Sequence, residues 1–278
     1  MLGSFLITLR EGVEAALIVG ILLSYLSKTK QSRYNNYVYY GVLTAILVSG
    51  IAAYIFSFFL GGFTGRFAKF FEGSVMFLAV AVLTYMVVWM HHQSRSVSME
   101  LKKKADAAIE SKNLWALSAL AFIAVFREGV ETVLFLYALF IQQASNNGAN
   151  SGFASSSIIG AFGGIITAIV LAYIFFKGFG HVNLKTFFRI TGIIIIIIAA
   201  GLLAYGVHEF EEAGILPPII KNVWDINHIL NEKGTVGSFL KALFGYNGNP
   251  SLLEVTAYVL YYPIVFYMLK KEHHDLAQ

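Results

Sequence analysis

Long apolar segments dominate this sequence and limit what the chain can fold into. Charged residues make up only 13% of it, about half the share found in soluble domains, so lipid rather than water must surround most of the chain. A lone strand in lipid leaves its backbone groups unpaired, so helices are expected. We predict an all-α membrane protein. Seven segments approach the roughly 20 residues that a transmembrane helix needs: about 3–26, 37–60, 70–90, 114–140, 153–176, 188–207 and 251–269.

The distribution of lysine and arginine predicts the orientation of these seven helices. The first, third and fifth connections and the C-terminal tail together carry 13 of these residues, and the opposite side carries 5. Basic connections stay in the cytoplasm, so the N-terminus is expected outside and the C-terminus inside a multi-pass protein of the cell membrane. The net charge of +4 therefore reflects topology and contact with lipid, and no nucleic acid partner is expected.

The motif Arg-Glu-Gly-Val-Glu occurs twice, at residues 10–14 and 127–131. Phe70-Phe71 recurs at the same offset as Phe187-Phe188. Spans one to three therefore look like a copy of spans four to six, and the second copy must be inverted because three is an odd number. The predicted single domain, 1–278, has repeat one at about 1–90, repeat two at about 114–210, an outer loop at 211–250 and a last helix at 251–269.

The two REGVE motifs place six charged side chains inside predicted spans: Arg10, Glu11, Glu14, Arg127, Glu128 and Glu131. Each costs roughly 2.5–3.5 kcal/mol at a helix centre, so these side chains must face one another or a wet cavity. A cage of carboxylate oxygens suits a hard cation such as Fe³⁺, and less selectively Fe²⁺, Mn²⁺, Mg²⁺ or Ca²⁺. The alternative is that each arginine and the glutamate four residues later form an ion pair that only joins helices. Simple pairing leaves one glutamate over in each motif.

Beyond these motifs, the sequence resembles the oxidase-dependent iron permeases, which include the fungal high-affinity permease and the membrane subunit of bacterial Efe-type iron uptake. The family signature REGLE appears here as REGVE. The resemblance extends to four further segments: Phe71-Glu72-Gly73, 86–90, 208–214 and 244–254.

The resemblance implies an iron transporter and not an enzyme, with Glu11, Glu14, Glu128 and Glu131 as the translocation site. It implies no permanently bound cofactor, with Fe³⁺ or Fe²⁺ as the transported substrate. It also implies import of Fe³⁺ after an extracytoplasmic partner has oxidised Fe²⁺. In bacteria that partner is a haem peroxidase with an iron-binding protein. The bacterial type is expected, because the sequence lacks the Asp-Ala-Ser-Glu motif of fungal members.

The predicted topology puts a second group of polar residues at the outer face: Glu72, His208, Glu209 and Glu212. An acidic mouth there concentrates cations before the translocation site. The simpler interpretation is a pair of helix ends whose charges face water.

Two other functions stay open at this stage. One is a transporter of another divalent cation. The other is a membrane-embedded di-iron oxidase, although neither motif has the Glu-x-x-His spacing of such sites. The sequence does not predict the oligomeric state.

Overall fold

The computed structural model describes residues 1–60, 65–93, 96–111, 113–147, 151–176, 184–232 and 234–275. These residues contain no strand, and besides a short 3₁₀ helix at Ser32–Tyr34 they form nine α-helices. The helices are α1 Leu2–Lys28, α2 Asn35–Leu60, α3 Gly65–Gln93, α4 Ser96–Glu110, α5 Trp115–Asn147, α6 Ser151–Phe176, α7 Leu184–Glu212, α8 Thr235–Phe244 and α9 Leu252–Asp275. The prediction of an all-helical protein is confirmed for this part of the chain.

Among the described residues, five helical stretches are long and apolar enough to cross a bilayer: Ser32–Phe58, Gly65–Trp89, Ser157–Phe176, Thr186–Glu212 and Leu252–Lys271. They coincide with five of the seven predicted spans. The first and fourth predicted spans form α1 and α5, which carry the two REGVE motifs. Neither helix is among the five stretches, because the three charged residues of its motif lower its apolar character. The count of seven spans and their orientation therefore stay predictions.

Two shorter helices occupy segments that the sequence analysis treated as connections. Helix α4 packs against α1 and α5, and it buries Ala105 and Ala108 there while its lysines face outward. Helix α8 lies in the predicted outer loop and packs mainly on α7, with further contacts to α1 and α5. Its Leu243 joins the main apolar core, so this part of the loop covers one end of the helix bundle.

The contacts between the long helices are symmetric with respect to the two predicted repeats: replacing each helix by its counterpart in the other repeat gives the same set of contacts. Helix α1 packs on α6, and α2 packs on α5. If α1 corresponds to α5, α2 to α6 and α3 to α7, the contact of α1 with α6 corresponds to the contact of α5 with α2. The pairings of α1 with α5 and of α3 with α7 match themselves. Two related three-helix units give such a pattern, while the inverted relation between them stays a prediction.

Small residues let these helices approach closely. Helix α6 presents Gly160, Gly164 and Ala168 at four-residue spacing towards α1, and α2 presents Gly41, Ala45 and Ser49 at the same spacing towards α5. The α6 set follows the α2 set along the chain at one constant offset of 119 residues. Small residues spaced by four are typical of tight helix contacts in membranes.

The motif glycines lie in these same contacts. A Cβ atom on Gly12 would lie 2.8 Å from the Cβ of Ala168, and one on Gly129 would lie 2.8 Å from the Cβ of Ser49. The glycine of each REGVE motif therefore packs against the third residue of the small-residue stripe (the set spaced by four) on a helix of the other repeat: Gly12 on Ala168 and Gly129 on Ser49. This packing fixes the depth at which the charged side chains meet.

We expect Gly164→Ala to destabilise the bundle, whereas the neighbouring Gly163→Ala is tolerated. A Cβ on Gly164 would overlap the backbone oxygen of Phe5 and lie 2.8 Å from the backbone nitrogen of Leu9, and neither atom can move without moving α1. Overpacking of this kind costs about 1–3 kcal/mol. A Cβ on Gly163 meets its nearest neighbour at an ordinary 3.5 Å. Thermal unfolding of the two purified variants measures the difference, and equal midpoints would contradict the proposed close packing of α1 on α6.

Candidate metal site

The two REGVE motifs meet where α1 crosses α5, and their six charged residues are called the central cluster below. Glu11, Glu128 and Glu131 each place one carboxylate oxygen within 4.8 Å of the others. Glu14 lies beside this group and interacts electrostatically with Glu131 across the helix contact. The structure therefore brings together all four glutamates that the sequence analysis selected.

Arg10 is the most deeply buried charge of the central cluster, with 0% of its side chain exposed. Its Nη1 lies 3.1 Å from Oε1 of Glu11, and its Nη2 lies 3.1 Å from Oε1 of Glu14. Nη1 also donates to the sulfur of Met86 on α3, at 2.9 Å. One guanidinium thus fixes both carboxylates of its own motif and ties α1 to α3.

Arg127 occupies the equivalent position in the second motif but has different surroundings. It is 44% exposed, and its Nε donates to Oε1 of Glu131 at 2.9 Å. Its guanidinium lies over the ring of Trp89, 5.2 Å from the ring centre. The two motifs therefore carry the same charged side chains but differ in burial, because protein encloses Arg10 completely and leaves 44% of the Arg127 side chain uncovered.

Several carboxylate oxygens in the central cluster have no hydrogen-bond donor. Oε2 of Glu11, Oε2 of Glu128 and Oε2 of Glu131 are all buried without a hydrogen-bond partner. Buried charged groups without partners are strongly unfavourable. Four carboxylates and two guanidiniums carry a net charge of −2 when all are ionised, so a bound cation would satisfy both the charge and the free oxygens. Oxygen-only ligands of this kind suit a hard metal ion.

A second acidic group lies where α3 begins and α7 ends, and it is called the α3–α7 cluster. Lys69 is at its centre, with Nζ 2.9 Å from Glu209, 3.0 Å from Glu212 and 3.8 Å from Glu72. These three glutamates were predicted at the outer face, and Lys69 is one of the five basic residues counted on that side. The structure brings the three acids together around that lysine, which neutralises part of their charge.

His208, the remaining residue selected for the outer face, contacts a different set of acids. Its Nδ1 lies 3.0 Å from Oε1 of Glu254 at the start of α9, and its Nε2 lies 3.3 Å from Oε1 of Glu212. His208, Glu211 and Glu254 together form a group with metal-ligand spacing. Glu211 and Glu254 were not selected from the sequence as site residues. Two signals point to them: His-x-x-Glu on one helix face, and Ser-x-x-Glu at a helix start.

The fold and the central cluster together define an α-helical membrane protein with a buried carboxylate site between two related helix pairs. The profile of the iron permease FTR1 family matches residues 1–270, so the chain belongs to that family and is a transporter rather than an enzyme.

Individual relatives agree with this membership. The ferrous iron permease EfeU of Escherichia coli O6:H1 (strain CFT073) is 37% identical over 260 residues, covering 92% of this chain and 91% of its own length. The ferrous iron permease EfeU of Yersinia pestis is 37% identical over 259 residues, covering 92% and 89%. A protein of Escherichia coli K12 named as a putative inactive ferrous iron permease EfeU is 36% identical over 260 residues. No solved structure matches the chain.

We expect Arg10→Gln to destabilise the protein far more than Arg127→Gln does. Removing one partner from a buried ion pair costs about 3–5 kcal/mol because the other charge is left unpaired. Arg127 is 44% exposed and pairs with Glu131 alone, so protein encloses this pair less completely and its loss is expected to cost less than the loss of Arg10. Thermal unfolding and the yield of monodisperse protein compare the two variants directly. Equal losses of stability would show that the difference in burial between the two motifs has no energetic meaning.

Proposed function

We propose that this protein imports iron across the cell membrane and that the ion passes through the central cluster. The observation that carries this proposal is the group of buried, donor-free carboxylate oxygens of Glu11, Glu128 and Glu131. Membership of an iron permease family makes iron the natural cargo for that ligand set. The ion pair of Arg10 with Glu14 also helps to hold α1, but helix joining alone does not explain the three free oxygens.

Fe³⁺ is the proposed form of the ion at the central cluster. The ligand atoms that the central cluster offers are all carboxylate oxygens. Carboxylate ligands suit hard metal ions, and Fe³⁺ is harder than Fe²⁺. The relatives are named ferrous iron permeases. Both statements are compatible if Fe²⁺ is supplied and an extracytoplasmic protein oxidises it before translocation. Such an iron-oxidising or iron-delivering partner is part of the proposal, as is import of the oxidised ion.

The proposed path joins the α3–α7 cluster to the central cluster. Both lie along α3, because Glu72 belongs to the first and Met86 contacts Arg10 of the second. These two positions are 14 residues apart, which corresponds to about 21 Å of helix. In the predicted orientation the α3–α7 cluster faces outside, so its acids would concentrate cations at the entrance.

An apolar core fills the space between the two clusters. Met76, Ala79 and Leu83 of α3 pack there with buried residues of α5 and α7. A hydrated cation does not cross such a core, so the conformation described here is closed towards the α3–α7 cluster. Transport then requires one repeat to move against the other, which is how proteins with inverted repeats expose a central site alternately to each side.

We expect Glu14→Gln and Glu131→Gln to reduce iron uptake to the level of empty liposomes. Each change removes one negative charge from the central cluster while keeping the size of the side chain. Arg10 keeps Glu11 as an ion-pair partner after the change at Glu14, so both variants are expected to remain folded. The measurement is uptake of iron into proteoliposomes, with chelated Fe³⁺ in one series and Fe²⁺ held reduced by ascorbate in a second.

Glu110→Gln is the matched control, because Glu110 is an exposed acid at the end of α4 and should leave uptake unchanged. Normal uptake by both central variants would rule out the proposed path. Uptake by the unmodified protein only in the presence of ascorbate would show that the ferrous ion is carried. Stronger uptake of Mn²⁺ than of either iron species would favour a general divalent cation transporter instead.

A further inference from the structure

We propose that His208, Glu211 and Glu254 form a second metal site, separate from the central cluster, that binds a divalent first-row transition metal ion. The three residues are called the His208 site. One ligand atom from each lies within 4.8 Å of the other two. Two ligands on opposite sides of such a metal are at most about 4.2 Å apart, since each bond is about 2.0–2.1 Å long. Side-chain shifts of under 1 Å would therefore close the site around an ion.

The C-terminal end of α7 supplies two of the three ligands. His208 and Glu211 are three residues apart, so they share one face of the helix. That face is turned towards the first turn of α9, whereas Glu209 points to Lys69 of the α3–α7 cluster. Neighbouring residues of one helix end thus contribute to two groups, which meet at Glu212 because it contacts both Lys69 and His208. Only the group on the α9 side has a histidine among its proposed ligands.

The start of α9 holds the third ligand in place. Ser251 and Glu254 form a capping box, in which the backbone N–H of Glu254 donates to Oγ of Ser251 at 3.1 Å. In return, the backbone N–H of Ser251 donates to Oε1 of Glu254 at 3.3 Å. Nδ2 of Asn247 donates to Oε2 of Glu254 at 2.7 Å. The carboxylate is therefore positioned before any ion arrives, as pre-organised metal ligands are.

One carboxylate oxygen of Glu211 also has an unsatisfied position at which a cation could bind. Oε1 of Glu211 is buried and has no hydrogen-bond partner. A buried carboxylate oxygen without a donor is unfavourable unless a cation satisfies it. Lys69 is engaged with the α3–α7 cluster, so it does not supply that charge.

The ligand chemistry differs from that of the central cluster. The His208 site combines one imidazole nitrogen with two carboxylates, whereas the central cluster offers only oxygen. Imidazole suits divalent iron, zinc and related metals, while oxygen-only sites suit harder ions. The His208 site is therefore expected to hold Fe²⁺ and similar ions at the end of the bundle that the predicted orientation places outside. Its use as a loading site for transport rests on the proposed function, but its binding of metal does not.

The test is titration of the purified protein with Co²⁺, a redox-stable divalent probe, followed by calorimetry and by visible absorption. The background is the double variant Glu11→Gln with Glu128→Gln, which removes central carboxylates. One equivalent of Co²⁺ should still bind. Adding His208→Gln or Glu254→Gln should weaken this binding at least tenfold, and His208→Gln should also alter the Co²⁺ spectrum. Glutamine at position 254 can still complete the capping box, so the second variant separates ligation from helix capping.

Glu232→Gln is the control, because Glu232 is an acid of the same outer segment that pairs with Lys241, 3.4 Å away. It should not change Co²⁺ binding. If the His208 and Glu254 variants bind Co²⁺ as tightly as their background, the His208 site is wrong. If the background binds Co²⁺ as predicted but the unmodified protein does not transport iron, the proposed function fails while the His208 site stands. Monodisperse elution of each variant excludes misfolding as the cause of a loss.

Discussion

The contact of Arg10 with Glu11 and Glu14 is the interaction on which the rest of the arrangement depends. A charged residue at the depth of the bilayer is costly when it stands alone, and a fully buried guanidinium needs acceptors on every side. Arg10 meets both acids of its own motif at 3.1 Å and reaches Met86 on α3. Because Arg10 holds Glu11 and Glu14 in place, Glu128 and Glu131 of the second motif meet carboxylates whose positions are already fixed. The donor-free oxygens that remain are the positions at which a cation is expected to bind.

Backbone packing places that contact at the level of the second motif. The stripes of small residues on α2 and α6 receive the motif glycines of the opposite repeat, Gly129 on Ser49 and Gly12 on Ala168. The same motif residues therefore determine both packing and charge. The glycines allow the helices to come close together, and the glutamates beside them then lie near one another. The difference in exposure between Arg10 and Arg127 breaks this equivalence.

The helical class and the residues that meet in the central cluster were predictable from the sequence because both follow from local rules. Apolar runs of bilayer length and charges within them are visible without coordinates, and the REGVE repeat identifies which charges belong together. The burial of Arg10 against the exposure of Arg127 was not predictable, because two identical motifs differ only in which helices cover them. The contacts of Lys69 were not predictable for the same reason, because the sequence does not show that Glu209 and Glu212 lie beside it. Glu254 was missed, although Ser251 three residues earlier marked it as part of a helix cap.

The central claim is that carboxylates from both motifs bind one iron ion together, and anomalous diffraction tests it most directly. Crystals of the unmodified protein grown with iron would be measured on both sides of the iron absorption edge. The account predicts an anomalous peak enclosed by Glu11, Glu128 and Glu131, with Glu14 beside it. A well-ordered central cluster without such a peak, or with these carboxylates directed away from one another, would contradict the account.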